Sequence, residues 1–216
     1  MNDIGGVAFF DFDGTICKKD SFLAFILYTK GPFQLGLCLL KHLPFILLYY
    51  LKLYPNDRLK EDFFSYFFKG VKAEDLEKSG LEFCENRLPQ MIYPDAMRLI
   101  QWHQAQNHLI YLVTASSEIW LGAWCKQHNI QCAGTVFETR DGVYTGKIKG
   151  KNCHGKYKAK MVRDILHLHP NARSFGYGNG QADTHFLHLV QHAFNGPLLQ
   201  KNVDQILVKK SAVSKK

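Results

Sequence analysis

Residues 7–15 read VAFFDFDGT, an apolar run followed directly by acidic and turn-forming side chains. A short apolar run that ends in polar residues is typical of a buried β-strand, so we predict a strand over Val7–Phe12. The pattern recurs at Leu109–Val113, which precedes TASS, and at Ser174–Tyr177, which precedes GNGQAD. Three predicted strands therefore each end at a polar cluster.

Helical patterns lie between these strands. Pro94 and Asp95 mark the start of a helix before the second strand, and Trp120–His128 has the pattern of a helix after it. Alternating strands and helices predict an α/β fold with a Rossmann-like, doubly wound parallel sheet. Such sheets bind ligands at the carboxyl ends of their strands, so we expect the three polar clusters to meet there.

The chain between the first and second predicted strands is far longer than one crossover helix requires. Residues 18–93 are aromatic and helical in pattern. We therefore predict a helical cap over residues 18–93, inserted into a catalytic core formed by residues 1–17 and 94–216. Within the core, DGVYTGKI predicts a β-hairpin with Asp141–Gly142 at its turn.

Residues 22–53 are the most apolar stretch of the sequence. The uncharged runs between its lysines are shorter than the roughly 18–20 residues that span a bilayer, and Pro32 and Pro44 should interrupt a continuous helix. We therefore predict that it does not cross a membrane. Two alternatives stay open: the buried side of a helical subdomain, or a segment in a membrane interface whose lysines reach the headgroups.

The formal net charge of +8 is concentrated in two places. Residues 147–160 hold six lysines and no acidic residue, and the C-terminal KKSAVSKK holds four more, while the rest of the chain is slightly acidic. We therefore expect no nucleic-acid partner, and instead phosphorylated small molecules or an anionic membrane surface. Because six cysteines show no disulfide or metal-ligand spacing, we predict reduced thiols in a cytoplasmic protein; peripheral contact with the inner face of the membrane stays open. We expect no obligate protein partner.

Two aspartates at the end of the first strand suit phosphoryl transfer. A carboxylate can attack phosphorus, and a second carboxyl group can protonate the leaving oxygen and later activate water. We assign Asp11 as the nucleophile and Asp13 as the acid/base. Their side chains can reach one site only if the strand ends between them, and Gly14 permits the turn that this requires. An aspartate-rich turn without catalytic function would have the same local pattern.

The other clusters supply what this reaction needs. Thr114, followed by the small Ala115, suits a donor to phosphoryl oxygens. Asn179 and Asp183 could complete an oxygen-ligand shell for Mg²⁺ together with Asp11.

DFDGT, VTAS, NCHGKYK and GNGQAD together resemble the four motifs of the haloacid dehalogenase (HAD) superfamily of hydrolases. The chain is similar to the subfamily IB branch, whose phosphoserine phosphatase-like members carry a helical cap, and to bacterial phosphatidylglycerophosphatase C-like members. The resemblance implies Lys158 as the catalytic lysine, Mg²⁺ bound by Asp11, Asp13, Asn179 and Asp183, and an aspartyl-phosphate intermediate. In GNGQAD the chain has Asn179 where the corresponding family motif has an aspartate. This difference should weaken Mg²⁺ binding because a negative charge is lost.

The resemblance also implies that the cap selects the substrate. Asp20 stands near the place of a cap-hinge acid that meets the substrate amine in phosphoserine phosphatases, and Arg58 could meet a second anionic group. The sequence thus predicts a Mg²⁺-dependent phosphomonoester hydrolase acting on a lipid-linked or small-metabolite phosphate. The alternative is a weak or inactive homologue that binds phosphate ligands or anionic membrane.

Overall fold

The computed structural model describes the backbone of residues 4–213 and the side chains of residues 4–208. The strands are β1 (Gly6–Phe10), β2 (His108–Ser117), β3 (Gln131–Thr135), β4 (Phe137–Arg140), β5 (Val143–Ile148), β6 (Arg173–Gly178) and β7 (His192–Asn195). The helices are α1 (Ser21–Tyr50), α2 (Asn56–Phe68), α3 (Ala73–Asn86), α4 (Leu88–Met91), α5 (Pro94–Ala105), α6 (Glu118–Gln127), α7 (Gly155–Leu168), α8 (Thr184–Leu187) and α9 (Gln200–Val213). The lysines of KKSAVSKK lie outside the residues whose side chains are described.

Five parallel strands form the central sheet in the order β3-β2-β1-β6-β7. β1 lies in the middle and is buried along its whole length. Because side chains alternate across a strand, Val7 and Phe9 pack with α7 and α8, whereas Ala8 and Phe10 face the larger apolar cluster that includes α5 and α9. The predicted α/β fold with a parallel sheet is confirmed.

The second strand is longer than its apolar run. The sequence predicted that it ends at Val113, but β2 continues through the polar TASS segment to Ser117. Its pairing with β3 is irregular between Val113 and Ser117, where the register shifts. The polar cluster therefore belongs to a distorted strand end that turns directly into α6.

The sequence predicted that two prolines interrupt α1, and only Pro32 does. The helix breaks at the residue before it, Gly31, whose φ of 80° and ψ of 169° are not helical, but it continues through Pro44. A positive φ of this kind is readily adopted only by glycine. By length and composition α1 could cross a bilayer, a criterion that the core helices of soluble proteins also meet.

The predicted hairpin forms from β4 and β5, with positive φ at both Asp141 and Gly142. The hairpin also contacts the predicted cap. The backbone of Tyr144 exchanges hydrogen bonds of 2.8 and 2.9 Å with Gly70 and Val71, between α2 and α3. The division of the chain into a core and a cap at residues 18–93 stays a prediction, and the hairpin is hydrogen-bonded to that segment.

The predicted cap and the core share one apolar interior. The Trp120 ring of α6 lies 5.5 Å from the Phe22 ring and 5.0 Å from the Phe25 ring of α1, centroid to centroid. Beside them, α3 approaches α6 so closely that a Cβ added to Gly80 would lie 2.0 Å from the carbonyl oxygen of Ile119. Position 80 therefore requires a glycine, because the backbones of α3 and α6 lie too close together for a side chain.

We expect Gly80→Ala to lower the free energy of unfolding by about 1–3 kcal/mol, because the added methyl group overpacks the α3–α6 contact. Gly122→Ala is the matched control, since it lies within α6 and its nearest neighbour is the Cβ of Glu118 at 3.9 Å. Chemical denaturation of both variants measures the difference. Equal stability of the two variants would contradict the close approach of α3 and α6.

Candidate active site

Polar side chains from the strand ends gather at the carboxyl edge of the sheet, as the sequence predicted. Asp11 is the first residue after β1, and Thr114 lies in the last part of β2. Asp183 stands just before α8, in the loop that follows β6, and α7 contributes Lys158. All four side chains belong to buried residues.

The Lys158 ammonium joins the two buried carboxylates. Its Nζ donates to Asp11 Oδ1 at 2.7 Å and to Asp183 Oδ1 at 2.6 Å. Burial acts to lower the pKa of Lys158, but the two carboxylates outweigh it and raise the pKa. Burial raises the pKa of the Asp11 carboxyl, and Lys158 acts in the opposite direction. The cluster is therefore held together by charge in a region of low dielectric constant.

Hydrogen bonds fix the second oxygen of each carboxylate. Asp11 Oδ2 accepts from the Thr15 hydroxyl at 2.9 Å. Asp183 Oδ2 accepts from the backbone N–H groups of Asn179 and Gly180, at 3.1 and 3.3 Å. Both carboxylates are thus oriented by the loops that contain them.

The Asn179 side chain reaches across to the loop after β1. A Cβ added to Gly14, whose φ is 77°, would lie 1.9 Å from Asn179 Nδ2. The loops after β1 and β6 therefore meet at Gly14, and a side chain at that position would displace Asn179.

Asp13 is held by the start of α1 and the end of β2. Its Oδ1 accepts from the backbone N–H of Ser21 at 2.8 Å, and its Oδ2 accepts from the Ser116 hydroxyl at 2.5 Å. Burial and then the nearby charge of Asp20 raise its pKa to about 7, although the bond from Ser116 opposes the rise. A carboxyl group with this pKa can both donate and accept a proton near neutral pH.

Two serines and a tryptophan form a network that the sequence did not reveal. Ser21 Oγ lies 2.8 Å from Ser116 Oγ, and the indole N–H of Trp120 donates to Ser21 Oγ at 3.0 Å. All three residues are buried. The network links the predicted cap directly to the acid/base candidate.

The basic residue that α2 brings to the site is Lys60. Its Nζ donates to the carbonyl oxygen of Ala115 at 2.6 Å and to Asn152 Oδ1 at 3.3 Å. Burial lowers its pKa, while Asp20 and Asp13 counteract that shift. Arg58, which the sequence favoured, is exposed, and no hydrogen bond or ion pair described for residues 4–208 joins it to the cluster.

The helical phase of α2 explains this difference. Asn56 and Lys60 are four residues apart and therefore lie on one face of the helix, which continues into Phe63 and Phe64 on the buried side. Asn56 Oδ1 accepts from Asn152 Nδ2 at 2.6 Å, so this face meets the loop before α7. Arg58 is two residues from Lys60 and points away from it.

Three further predicted residues have local roles. Asp20 is exposed and caps α1, because its Oδ1 accepts from the backbone N–H of Leu23 at 2.9 Å. Thr114 Oγ1 accepts from the backbone N–H of Ser116 at 3.1 Å, which leaves the hydroxyl proton to donate. Ala115 presents its carbonyl oxygen to Lys60.

The remaining lysines of residues 147–160 behave as surface side chains where contacts are described. Lys147 Nζ lies 3.3 Å from Glu61 Oε2, and Lys160 Nζ lies 2.7 Å from Asp164 Oδ2. Both lysine side chains are largely exposed, so these pairs contribute little to stability. Lys158 alone of these is buried between carboxylates.

The donor set fits a hard divalent cation. Asp11 and Asp183 already converge on one ammonium, and Asn179 offers an amide oxygen in the adjoining loop. No three His, Cys, Asp or Glu side chains among the described residues are grouped to hold a metal ion. A third protein ligand would therefore be an amide or backbone oxygen, and a role for the Asp13 side chain as a ligand stays a prediction.

A cavity of about 390 Å³ lies elsewhere in the molecule. Its lining includes Gly5, His108, Arg173 and His192, which stand at or near the amino ends of the strands. It is therefore at the opposite edge of the sheet from the aspartates, and the chemistry described above does not use it.

Residues 8–188 match the model of the haloacid dehalogenase-like hydrolases. Protein CicA of Caulobacter vibrioides is 29% identical over 186 residues, which cover 82% of this chain and 80% of CicA. A solved Bordetella pertussis Tohama I protein of unknown function has a TM-score of 0.75 at 20% identity, with 95% of each chain covered. A phosphoserine phosphatase solved as a phospho-aspartyl intermediate analogue has a TM-score of 0.63 at 12% identity, covering 89% of this chain and 87% of that one.

We expect Lys158→Met to lower the free energy of unfolding by about 3–5 kcal/mol, because it leaves two buried carboxylates without a counter-charge. The loss should grow as pH rises. Burial already raises the pKa of Asp11 in the native chain and Lys158 opposes the rise, so removing Lys158 raises that pKa further. The folded variant then binds more protons relative to its unfolded state than the native chain does, and its stability falls more steeply with increasing pH.

Urea denaturation with a chelator present, at pH 5.5 and pH 8, measures this effect. Lys160→Met is the matched control, since it removes an exposed lysine from the same helix. A deficit for Lys158→Met that is equal at both pH values would contradict the electrostatic account.

Proposed function

Because the chain belongs to the haloacid dehalogenase-like hydrolase family, we propose that it is a phosphatase that hydrolyses phosphate monoesters through a covalent intermediate on Asp11. The arrangement that carries the proposal is the Asp11 carboxylate beside the Lys158 ammonium, with Asp13 two residues away at a pKa of about 7. Nucleophile, countercharge and proton donor therefore occupy one edge of the sheet.

In the first step, a carboxylate oxygen of Asp11 forms a bond to phosphorus while the bond between phosphorus and the ester oxygen breaks. Asp13 transfers its proton to the departing oxygen. A pKa near 7 leaves a substantial fraction of Asp13 protonated at neutral pH, which an ordinary aspartate would not be. The Lys158 ammonium and the Thr114 hydroxyl supply donors to the phosphoryl oxygens.

In the second step, water loses a proton to Asp13 and attacks phosphorus, and the bond between phosphorus and Asp11 breaks. Inorganic phosphate leaves, and both aspartates return to their starting protonation states. Ser21 and Ser116 hold Asp13 in place through both steps, because each donates to one of its carboxylate oxygens.

We further propose Mg²⁺ as the cofactor, held by Asp11, Asp183 and Asn179. The bound ion would supply positive charge to offset the charge on the phosphoryl oxygens. Lys158 already holds the two carboxylates in position, so the ligand pair is preorganised.

The substrate is either a small phosphorylated metabolite or a lipid-linked phosphate similar to phosphatidylglycerophosphate. Lys60 and Asp20 flank the site and are the groups of the predicted cap that would meet polar parts of the substrate. The exposed apolar surface of α1 supports the lipid-linked class. The likeness in fold to a phosphoserine phosphatase supports the small-metabolite class.

A cytoplasmic location is also part of the proposal. All six cysteines are unpaired thiols, and burial raises the pKa of Cys17 and of Cys153 to about 12. Such thiols are neutral and unreactive, as expected of packing residues in a reducing compartment.

We expect purified protein with Mg²⁺ to release phosphate from an aryl phosphate, and Asp11→Asn to lower kcat by about a thousandfold or more because the nucleophile is lost. Asp164→Asn removes an exposed carboxylate and should retain full activity. Comparing turnover of phosphatidylglycerophosphate with that of phosphoserine then separates the two substrate classes. Absence of turnover by the native protein on every phosphate ester would contradict the proposal.

Asn179 supports one alternative, a weak or inactive homologue that retains phosphate binding. We expect Asn179→Asp to tighten the apparent Mg²⁺ affinity at least about fivefold, because one more anionic ligand faces the cation. Asn171→Asp, at an exposed asparagine before β6, controls for added surface charge. If the Mg²⁺ dependence of activity is the same in both variants, Asn179 is not a ligand.

A further inference from the structure

Exposed apolar side chains are concentrated on one element of the molecule. Among the residues with described side chains, eleven of the twenty-one exposed large apolar residues fall within Phe33–Leu53, which is the second half of α1 and the three residues after it. Single exposed apolar residues are normal on soluble proteins, whereas a cluster of this size in one short segment indicates an interaction surface. The second half of α1 is therefore the strongest candidate for a binding surface outside the active site.

One face of this half-helix packs on α2. Cys38 and His42 are its buried residues. The His42 ring lies 5.3 Å from the Phe63 ring and 5.6 Å from the Tyr66 ring, centroid to centroid. These contacts use a single face, because residues 38 and 42 are one helical turn apart.

The opposite face carries an apolar stripe at helical spacing. Its exposed fractions reach 77% at Phe33, 70% at Leu40 and 67% at Leu51. Spacings of four and three residues place the members above one another along the helix. We call this the exposed stripe, and it consists of Phe33, Leu37, Leu40, Pro44 and Leu47 of α1 and of Leu51, the residue that follows the helix.

The charges around the stripe have one sign. Between Asp20 and Asp57 the sequence contains no acidic residue, and its charged residues are Lys30, Lys41 and Lys52. The Lys30 and Lys41 ammonium groups lie 5.2 and 5.1 Å from aromatic ring centroids, so their stems run along apolar surface while both residues remain partly or fully exposed. A partner complementary to this surface would combine an apolar region, to contact the stripe, with negative charges, to contact the lysines.

We propose that the exposed stripe docks on the surface of an anionic lipid bilayer, with the second half of α1 lying in the interfacial plane. Large apolar side chains would enter the acyl boundary while the lysines contact lipid phosphates. The proposal goes beyond hydrolysis, because it uses no residue of the active site.

The neighbouring helix explains why α1 lies on the bilayer rather than across it. α2 covers the back of α1 and carries Asp57, Arg58, Glu61 and Asp62. The Tyr54 hydroxyl, in the connection between the two helices, donates to Asp62 Oδ2 at 2.7 Å. A spanning α1 would bring these charged groups into the hydrocarbon layer, which is strongly unfavourable.

Sedimentation with phosphatidylcholine vesicles, with and without phosphatidylglycerol, tests the inference on the full chain. We expect binding to the anionic vesicles that weakens with added salt. The triple variant Phe33→Ser, Leu40→Ser, Leu47→Ser should bind about a hundredfold more weakly, because three apolar side chains are lost from the lipid contact. Its activity on a soluble aryl phosphate should be unchanged, which also shows that it is folded.

The matched control is Leu81→Ser, Val136→Ser, Leu168→Ser, which removes three exposed apolar side chains from other parts of the molecule. It should bind vesicles as the native chain does. Lys41→Gln and Lys52→Gln should each weaken binding to anionic vesicles about fivefold and leave binding to neutral vesicles unchanged. Because binding is measured without substrate, its result is independent of phosphatase activity.

Several outcomes would overturn the inference. The first is a native chain that binds no vesicle, and the second is equal binding by the stripe and control triples. A third is dimerisation in light scattering that the stripe triple abolishes, since a second copy of the chain would then cover the stripe. A fourth outcome concerns the lysines of residues 209–216. If changing them to Gln abolishes vesicle binding while the stripe triple still binds, the C-terminus is the docking element.

Discussion

The buried ammonium of Lys158 between Asp11 and Asp183 is the contact on which the arrangement of the site depends. It joins residues from α7, the end of β1 and the loop after β6, so three elements that are distant in sequence are tied at one atom. Burying two carboxylates at this edge would be unfavourable without the cation, and burying the cation would be unfavourable without them. The same charges that fix the geometry are those that phosphoryl transfer requires.

The central strands could be predicted because each combines an apolar run with a polar end. β3 and β7 could not, because QCAGT and HAFN are short and not strongly apolar. Both are edge strands, and pairing with a neighbouring strand determines their conformation. Tertiary contacts therefore supplied the information that local sequence lacked.

The candidate site was predictable where a side chain follows a strand, and less so where it comes from an inserted helix. Asp11 and Asp183 lie in loops whose positions follow from the sheet. Lys60 was missed because the choice between it and Arg58 depends on the rotation of α2 about its axis. That rotation is visible in the sequence only if the aromatic residues near the end of the helix are read together with Asn56 near its start.

The hairpin of β4 and β5 has a consequence for domain motion. Because its backbone is hydrogen-bonded to residues 70–73, the predicted cap is joined to the sheet by four chain crossings: two at its own boundaries and one at each end of the hairpin. Opening the site would require coordinated bending at all four, which limits the cap to a small rocking movement rather than a wide swing. Exchanging only residues 18–93 between relatives would leave the receiving hairpin without its partner, so a functional chimera should transfer the hairpin as well.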